Sequence, residues 1–390
     1  MTSFPKIKNL TILGSTGSIG VQTLQVVEKS DCLFNVLYLT TNKNIDLLAE
    51  QITKFNPKGV VITDYESYVE FKEKYNFEIE TYFGEEGLSY VASAEETDLV
   101  VSALVGFSGV VPTISALESG KNVALANKET LVAAGKYISE LAKKKSAKII
   151  AIDSEHNAII QCLLGEEITK VEKIILTASG GPFLNSSPKS LESVQVSEAL
   201  AHPRWSMGKK ISIDSATLMN KGFEVIEAHW LFDLNPEQIQ VVIHPESVVH
   251  SLVQFVDGSI KAQLGPQDMR IPISFALNYP NRLPYDFPRL DLLSVTTLSF
   301  YEPDTEKFPC LRMAYDALKL GGNATAILNA ANETAVSNFL EGKISFAKIP
   351  KCISFALEKV EHNASPSFED IIQVDKITRK ITQNFIDNLN

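Results

Sequence analysis

Cysteine is scarce: only Cys32, Cys162, Cys310 and Cys352 occur in 390 residues, far apart and without C-x-x-C spacing. That excludes a disulfide framework and a thiolate zinc site, and it fits buried thiols in a reducing compartment. Long apolar runs are also missing. No stretch approaches the ~20 residues that a membrane-spanning helix needs, so no membrane partner is expected. Basic runs are short, with only Lys143, Lys144 and Lys145 and the pair Lys209 and Lys210 clustering, and the formal net charge is −11. This balance argues against nucleic acid as a partner, yet leaves anionic small molecules open, because they need only local positive charge. The N-terminal MTSFPKIKNLTIL runs straight into an apolar stretch. That predicts a chain with no signal or transit peptide and a cytoplasmic location.

What is present is an ordinary globular composition, 45% hydrophobic and 21% charged, in a chain too long for one core. Apolar runs at 10–13, 34–39, 59–62, 99–103, 122–125 and 149–152 alternate with helical periodicity such as that at 21–27, 45–55 and 131–141. Alternation of this kind predicts an α/β first domain over residues 1–150, a Rossmann-like parallel sheet with helices on both faces. From 151 to 285 the pattern changes to a central α+β domain. It has a short strand at 174–176, a loop-like SGGPFLNSSPKS, one long helix from 213 to 232, and a hairpin signal at Asp257-Gly258 between alternating runs. Residues 286–307 read as a connector and 308–390 as a C-terminal helical bundle.

The first strand leads into GSTGSIG, with glycines at Gly14, Gly17 and Gly20, and then into a helix. Gly14 suits the tight exit, Gly17 a close backbone approach to a ligand, and Gly20 the packing of helix on sheet. The hydroxyls of Ser15, Thr16 and Ser18 and the free N–H groups of the helix start favour a phosphate, so a nucleotide is expected. An NAD site calls for an acid at the tip of the second strand. Here the tip reads Thr41, Asn42, Lys43 and Asn44. A lysine among neutral groups suits a 2′-phosphate, which predicts NADP(H); a merely solvated Lys43 is the alternative.

The sixth apolar run ends Asp153, Ser154, Glu155, His156, Asn157. Ligands of open α/β sheets bind beyond the carboxyl ends of the strands. Two carboxylates there suit Mg²⁺ or Mn²⁺, while a helix N-cap is the structural alternative. On the long helix, Ser215, Asn220, Lys221 and Glu224 crowd beside an apolar stripe, and Lys221–Glu224 could be an ordinary intrahelical pair worth a few tenths of a kcal/mol. Among the histidines, His156 could simply begin a helix, His229 and His250 lie in apolar runs, and His244 precedes a proline. His202 differs. It lies in ALAHPRWSMGKK with Trp205, one of only two tryptophans, and with nearby basic residues, a composition suited to an active-site lid.

Taken together, GSTGSIG, LANKET, IDSEHNAI, TASGGPF, HPRWSMGKKISIDSATLMNKGFEVIEA, IHPESVVHS and LNAANE, in this order, resemble the 1-deoxy-D-xylulose 5-phosphate reductoisomerase family. These are NADPH-dependent enzymes of non-mevalonate isoprenoid biosynthesis, and the likeness spans nearly the whole chain. It implies a cofactor pyrophosphate loop at Thr16, Gly17, Ser18 and Ile19, and adenosine-phosphate contacts at Lys43 and Asn44. Cofactor contacts are also implied at Asn127, Glu129 and Gly208. It implies metal ligands Asp153, Glu155 and Glu224, with Mg²⁺ or Mn²⁺. Substrate contacts would be Lys128, Ser154, Glu155, Ser179, His202, Trp205, Ser215, Asn220, Lys221 and Glu224. Lys128, Glu155 and His202 would be catalytic. A mobile lid would cover about 179–210, with Met207 and Gly208 after its tryptophan, and the enzyme would be a homodimer with an interface around 248–264. Two positions depart from the family's usual glycine: Asn42, before the Lys-Asn pair, and Ala178, before Ser179.

Two other readings stay open on the residues alone. A semialdehyde dehydrogenase would need a nucleophilic cysteine, and Cys162 lies in an apolar helix without an activating motif. A non-catalytic Rossmann nucleotide sensor would bind its ligand without turnover.

Overall fold

The computed structural model describes residues 7–205 and 207–389 and divides into two compact units. One comprises the chain up to 130, with 137–157 and 268–288; the other comprises 131–136, 158–267 and everything from 289 onward.

The first unit is built on seven parallel strands: β1 (Lys8–Leu13), β2 (Phe34–Thr41), β3 (Gly59–Ile62), β4 (Glu80–Phe83), β5 (Leu99–Ser102), β6 (Asn122–Leu125) and β7 (Ile149–Ala151). Their order is β4-β3-β2-β1-β5-β6-β7. The order reverses between β1 and β5, so the crevice of this α/β sheet opens beside the end of β1. β3 and β5 are buried at every residue, which is why they read as continuous apolar runs. β4 is the strand that the hydrophobic pattern conceals. Glu80, Thr81, Tyr82 and Phe83 form a half-exposed sheet edge with no apolar run to mark it. Helix starts here are written in side chains: Asn44 caps Ile45–Phe55 and Asp64 caps Tyr65–Lys74. Residues 268–288 return to this unit. Helix Arg270–Asn278 packs on helix Ser18–Glu28, Lys8 Nζ donates to Leu277 O at 2.9 Å, and Asn278 Nδ2 donates to Tyr285 at 3.1 Å.

The second unit holds β8 (Val171–Ala178), β9 (Ile239–Ile243), β10 (Val249–Phe255) and β11 (Ile260–Leu264), in the order β11-β10-β8-β9. The β10–β11 hairpin forms as expected at Asp257-Gly258, where Gly258 has φ +85° and Asp257 Oδ1 accepts from Ser259 N at 2.9 Å. The sheet is mixed, because β8 and β9 pair in parallel through a helical crossover. Four helices, Pro309–Leu320, Ala324–Leu340, Ile349–Lys359 and Phe368–Asp387, make the C-terminal bundle. Ala324–Leu340 is its central member, with fourteen buried residues spread around its circumference. Phe368–Asp387 opens on a Ser367/Asp370 capping box.

One expectation needs correction. The single helix over 213–232 is two, Lys209–Ala216 and Met219–Phe232. Thr217 ends the first by bonding back to Ile213 O and Asp214 O, each at 3.2 Å, and Leu218 turns left-handed at φ +60°. A β-branched hydroxyl residue that bonds backwards competes with helix continuation, whereas apolar spacing alone runs through it unbroken. No helix among the described residues is long and apolar enough to cross a membrane.

Candidate active site

The glycine turn sits at the sheet's crevice. Gly14, at φ +82°, has room for no side chain, since a Cβ would fall 2.7 Å from Ala103 O. Gly20 presses its helix onto the turn so closely that a Cβ would lie 2.3 Å from Gly14 O. Gly17 has φ −78° and is the helix N-cap. Its bare Cα keeps the first-turn N–H groups of Ser18 and Ile19 uncovered, and these are groups that a helix leaves without an internal acceptor. Thr40 Oγ1 accepts from Gly14 N at 2.7 Å, and Thr16 and Thr41 share a hydrogen bond of 2.6 Å, which lock the turn to the tip of β2. The cradle fits a pyrophosphate.

At the β2 tip, Lys43 is 72% exposed and lies 3.6 Å from Asp64 Oδ1. Asn42 donates to Thr63 at 2.8 Å, and Asn44 spends its Oδ1 on the cap of the next helix, accepting from Leu47 N at 3.2 Å. Of the pair, Lys43 therefore has the more freely extended polar group.

After β6, Asn127, Lys128 and Glu129 are all buried. Asn127 Nδ2 reaches Leu104 O at 2.9 Å, Gly106 O at 3.0 Å and Glu129 Oε2 at 3.1 Å, and its Oδ1 accepts from Thr130. This knot fixes the start of helix Lys128–Lys145. Lys128 Nζ lies 2.7 Å from Asp153 Oδ2. Burial opposes ionisation of Asp153, but the Lys128 ammonium and its neighbours outweigh it and hold the carboxyl well below the usual range. The other oxygen of Asp153 accepts from Glu155 N at 3.3 Å, and its carbonyl accepts from Asn157 N at 2.8 Å. Asp153 is therefore both the helix cap and an ionised carboxylate, so the two readings of the acid pair are compatible. Ser154 donates to Glu155 Oε2, and His156 is wholly buried, 3.9 Å from Asp153.

In the second unit, Ser179 follows β8. His202 Nδ1 accepts from Arg204 N at 3.2 Å and Trp205 N at 2.9 Å. That places the ring proton on Nε2, which donates to Ser179 Oγ at 3.0 Å. Gly181 N also donates to that oxygen, at 3.2 Å. With both lone pairs of Ser179 engaged, its hydroxyl keeps its own hydrogen to donate. Arg204 Nε donates to Pro245 O at 3.0 Å, and the Trp205 ring lies 6.4 Å from His250, so the loop rests on the β9–β10 turn. Ser206 of the HPRWSMGKK stretch lies outside the described residues. Gly208 caps helix Lys209–Ala216, on which Ser215 is half-buried. A Cβ on Gly181 would meet Ser215 O at 2.9 Å, which brings Ser215 beside the Ser179 loop. The helix break puts Asn220, Lys221 and Glu224 on the next helix. There Lys221 and Asn220 donate to the two oxygens of Glu224. Lys221 is 4% and Glu224 1% exposed, so this is a buried charged cluster and not a solvated helix pair.

Three of the four cysteines are buried, as expected, whereas Cys32 is exposed; the buried ones offer no nucleophile. Burial pushes the Cys162 thiol up to about 11, Cys310 up to about 12 and Cys352 up to about 11, which removes the basis of the semialdehyde dehydrogenase reading.

Strand order, glycine turn and acid-tipped strand put the first unit in the Rossmann-like class of α/β oxidoreductase folds. Comparison with known proteins sharpens the class. Residues 10–135 match the family model for 1-deoxy-D-xylulose 5-phosphate reductoisomerase, and 149–232 and 264–381 match two models of its C-terminal domains. The reductoisomerase of Pelotomaculum thermopropionicum is 51% identical over 98% of this chain and 100% of its own length, and that of a Geobacillus species is 49% identical over 97% and 100%. A solved DOX-P reductoisomerase in complex with NADPH, fosmidomycin and magnesium superposes with a TM-score of 0.94 at 42% identity, covering 98% of this chain and 99% of the other. The enzyme from Zymomonas mobilis, in complex with NADPH, gives a TM-score of 0.90 at 39% identity, covering 98% and 99%. The chain belongs to the 1-deoxy-D-xylulose 5-phosphate reductoisomerase family.

Proposed function

We propose that this chain is an NADPH- and divalent-metal-dependent enzyme that rearranges and reduces 1-deoxy-D-xylulose 5-phosphate to 2-C-methyl-D-erythritol 4-phosphate, in isoprenoid precursor synthesis. The observation that carries this reading is 51% identity along the whole length of a named reductoisomerase. The experiment is product analysis by NMR after incubation with 1-deoxy-D-xylulose 5-phosphate, NADPH and Mg²⁺. The branched erythritol phosphate is the expected product; recovery of unchanged substrate would overturn the reading.

The turn at Thr16, Gly17, Ser18 and Ile19 would hold the pyrophosphate of NADPH, with Asn127, Glu129 and Gly208 as further cofactor contacts. Lys43, aided by Asn44, would meet the 2′-phosphate. Asp153, Glu155 and Glu224 would hold Mg²⁺ or Mn²⁺; hard, ionised carboxylate oxygens are the donors these ions take. When bound, NADPH supplies the hydride and the cation supplies Lewis acidity toward the substrate's carbonyl and hydroxyl oxygens. Ser179, Ser215, Asn220 and Lys221 would bind the phosphate through charge-assisted hydrogen bonds. Ser154 would orient substrate oxygens. Lys128, its Nζ 2.7 Å from Asp153 Oδ2, would hold or pass a proton beside the reacting oxygens. His202, with its proton fixed on Nε2, would act as a donor. The 179–210 segment would serve as a lid, with Trp205 excluding water.

The cofactor choice has its own test. Lys43→Ala is expected to weaken NADPH binding by about tenfold or more, the scale of a hydrogen bond to a charged group, while NADH binding barely changes. Equal losses for both cofactors would remove Lys43 from the 2′-phosphate.

A homodimer is the expected assembly. It is supported by apolar side chains left exposed near the β11 sheet edge and on the connector, among them Val256, Ile260, Leu292 and Leu293, the last 94% exposed. Sedimentation at twice the chain mass would support this, and a concentration-independent monomer would exclude it. A cytoplasmic location fits a chain whose four cysteines are all unpaired, three of them buried and Cys32 exposed.

A further inference from the structure

None of the roles above uses Asp214, although its carboxyl is buried, with the residue 1% exposed, on helix Lys209–Ala216. It directly precedes Ser215, and its helix directly follows the 202–208 loop. Lys210 Nζ lies 2.7 Å from Asp214 Oδ2, one turn back along the helix. Asn332, fully buried on the central bundle helix Ala324–Leu340, donates through Nδ2 to Asp214 Oδ1 at 2.8 Å. The Lys210 ammonium also stands 4.8 Å over the Phe223 ring. Cys310 closes another side; burial first, and then the Asp214 charge, raise its thiol. A helix that needed only anchoring would be served by an apolar side chain at this position, because a buried carboxylate is costly unless fully partnered. Here the partners are chosen with direction: one reaches the helix's own first turn, beside the loop, and the other reaches the bundle. What the helix carries into the site is Ser215, whose carbonyl lies against Gly181 of the Ser179 loop.

We propose that Asp214 is a positioning residue that clamps helix Lys209–Ala216 between Lys210 and Asn332. The clamp sets where Ser215 presents its hydroxyl to the substrate phosphate and tethers the C-terminal end of the 202–208 loop. The first consequence rests on Ser215 being a phosphate contact; the tether does not. The sequence offered Asp214 only as one letter of a motif, because its partner is 118 residues away.

The test compares Asn332→Ala with Asn338→Ala. Asn338 is also a buried amide of the same helix, but its Nδ2 donates to Gln383 Oε1 and Thr334 O, each at 2.9 Å. Asn332→Ala is expected to raise KM for 1-deoxy-D-xylulose 5-phosphate about tenfold, the effect of losing one hydrogen bond to a charged group, with kcat and NADPH affinity little changed. Asn338→Ala, at a comparable loss of melting temperature, should leave KM alone. Lys210→Met supplies a second clamp variant should Asn332→Ala fail to fold, and it should shift KM in the same direction. A second arm is independent of turnover: tryptic cleavage after Lys209 should quicken in Asp214→Asn and Asn332→Ala and not in Asn338→Ala. Equal KM shifts in both asparagine variants, or no shift in either, would overturn the phosphate-positioning role. Unchanged cleavage would overturn the tether. Wild-type protein inert toward the substrate would overturn the functional reading instead, leaving the cleavage arm to judge the clamp.

Discussion

Glu224→Gln is expected to lose turnover by at least about a hundredfold, because even outer partners of metal ligands are worth about 10–100-fold and this carboxylate is proposed as a ligand itself. Gln keeps the size of Glu and an oxygen that can accept from Lys221, so the buried Asn220–Lys221–Glu224 cluster retains most of its contacts. What goes is the negative charge. NADPH binding, proposed for the glycine turn, should stay within about twofold of wild type, less than the loss of one ordinary hydrogen bond. Steady-state kinetics with titrated Mg²⁺, together with NADPH fluorescence, measure both. A variant with wild-type turnover would remove Glu224 from the metal site, and one that loses NADPH affinity as well would point to a folding defect.

Lys128→Met is expected to cost about 3–5 kcal/mol of stability, the range for breaking one side of a buried ion pair. Lys128 and Asp153 are 6% and 11% exposed, so solvent screens the pair little. The substitution leaves Asp153 buried with its principal counter-charge gone. The pH dependence follows from the sign of the shift. Asp153 has a folded pKa below its unfolded value, so its contribution is complete above about pH 5 and fades as the pH falls through the carboxylate range. The wild type should therefore exceed the variant most in melting temperature at neutral pH and least in acid. Combining the change with Asp153→Asn should recover part of the loss, a coupling that a double-mutant cycle reads directly. Equal melting of wild type and Lys128→Met at neutral pH would mean that the pair is not a buried partner in solution.

Much of this was legible in the chain, and the exceptions share a physical cause. The apolar runs at β3 and β5 announced buried parallel strands, Asp257-Gly258 announced its hairpin, and GSTGSIG announced a tight strand-to-helix turn, because each is a local pattern with a local reason. β4 escaped because a half-exposed edge strand has no apolar signature. The break at Leu218 escaped because apolar spacing runs across it, while the cause is a Thr217 hydroxyl bonding backwards. At the candidate site, residue types drew attention to the acids and to His202. The Asn127 knot and the Asp214–Asn332 bond depend on groups brought together from distant sequence, and no spacing rule reports those. The side chain of Asn44, expected at the adenosine phosphate, is taken up by a helix cap.

An acid-held cation and NADPH are proposed to act together on one phosphorylated substrate. The most direct test follows NADPH absorbance with 1-deoxy-D-xylulose 5-phosphate present, first in EDTA, then after Mg²⁺ or Mn²⁺ is restored in excess. The account predicts no oxidation in chelator, full oxidation on restoring the metal, and none without substrate. Oxidation that continues undiminished in EDTA would contradict it.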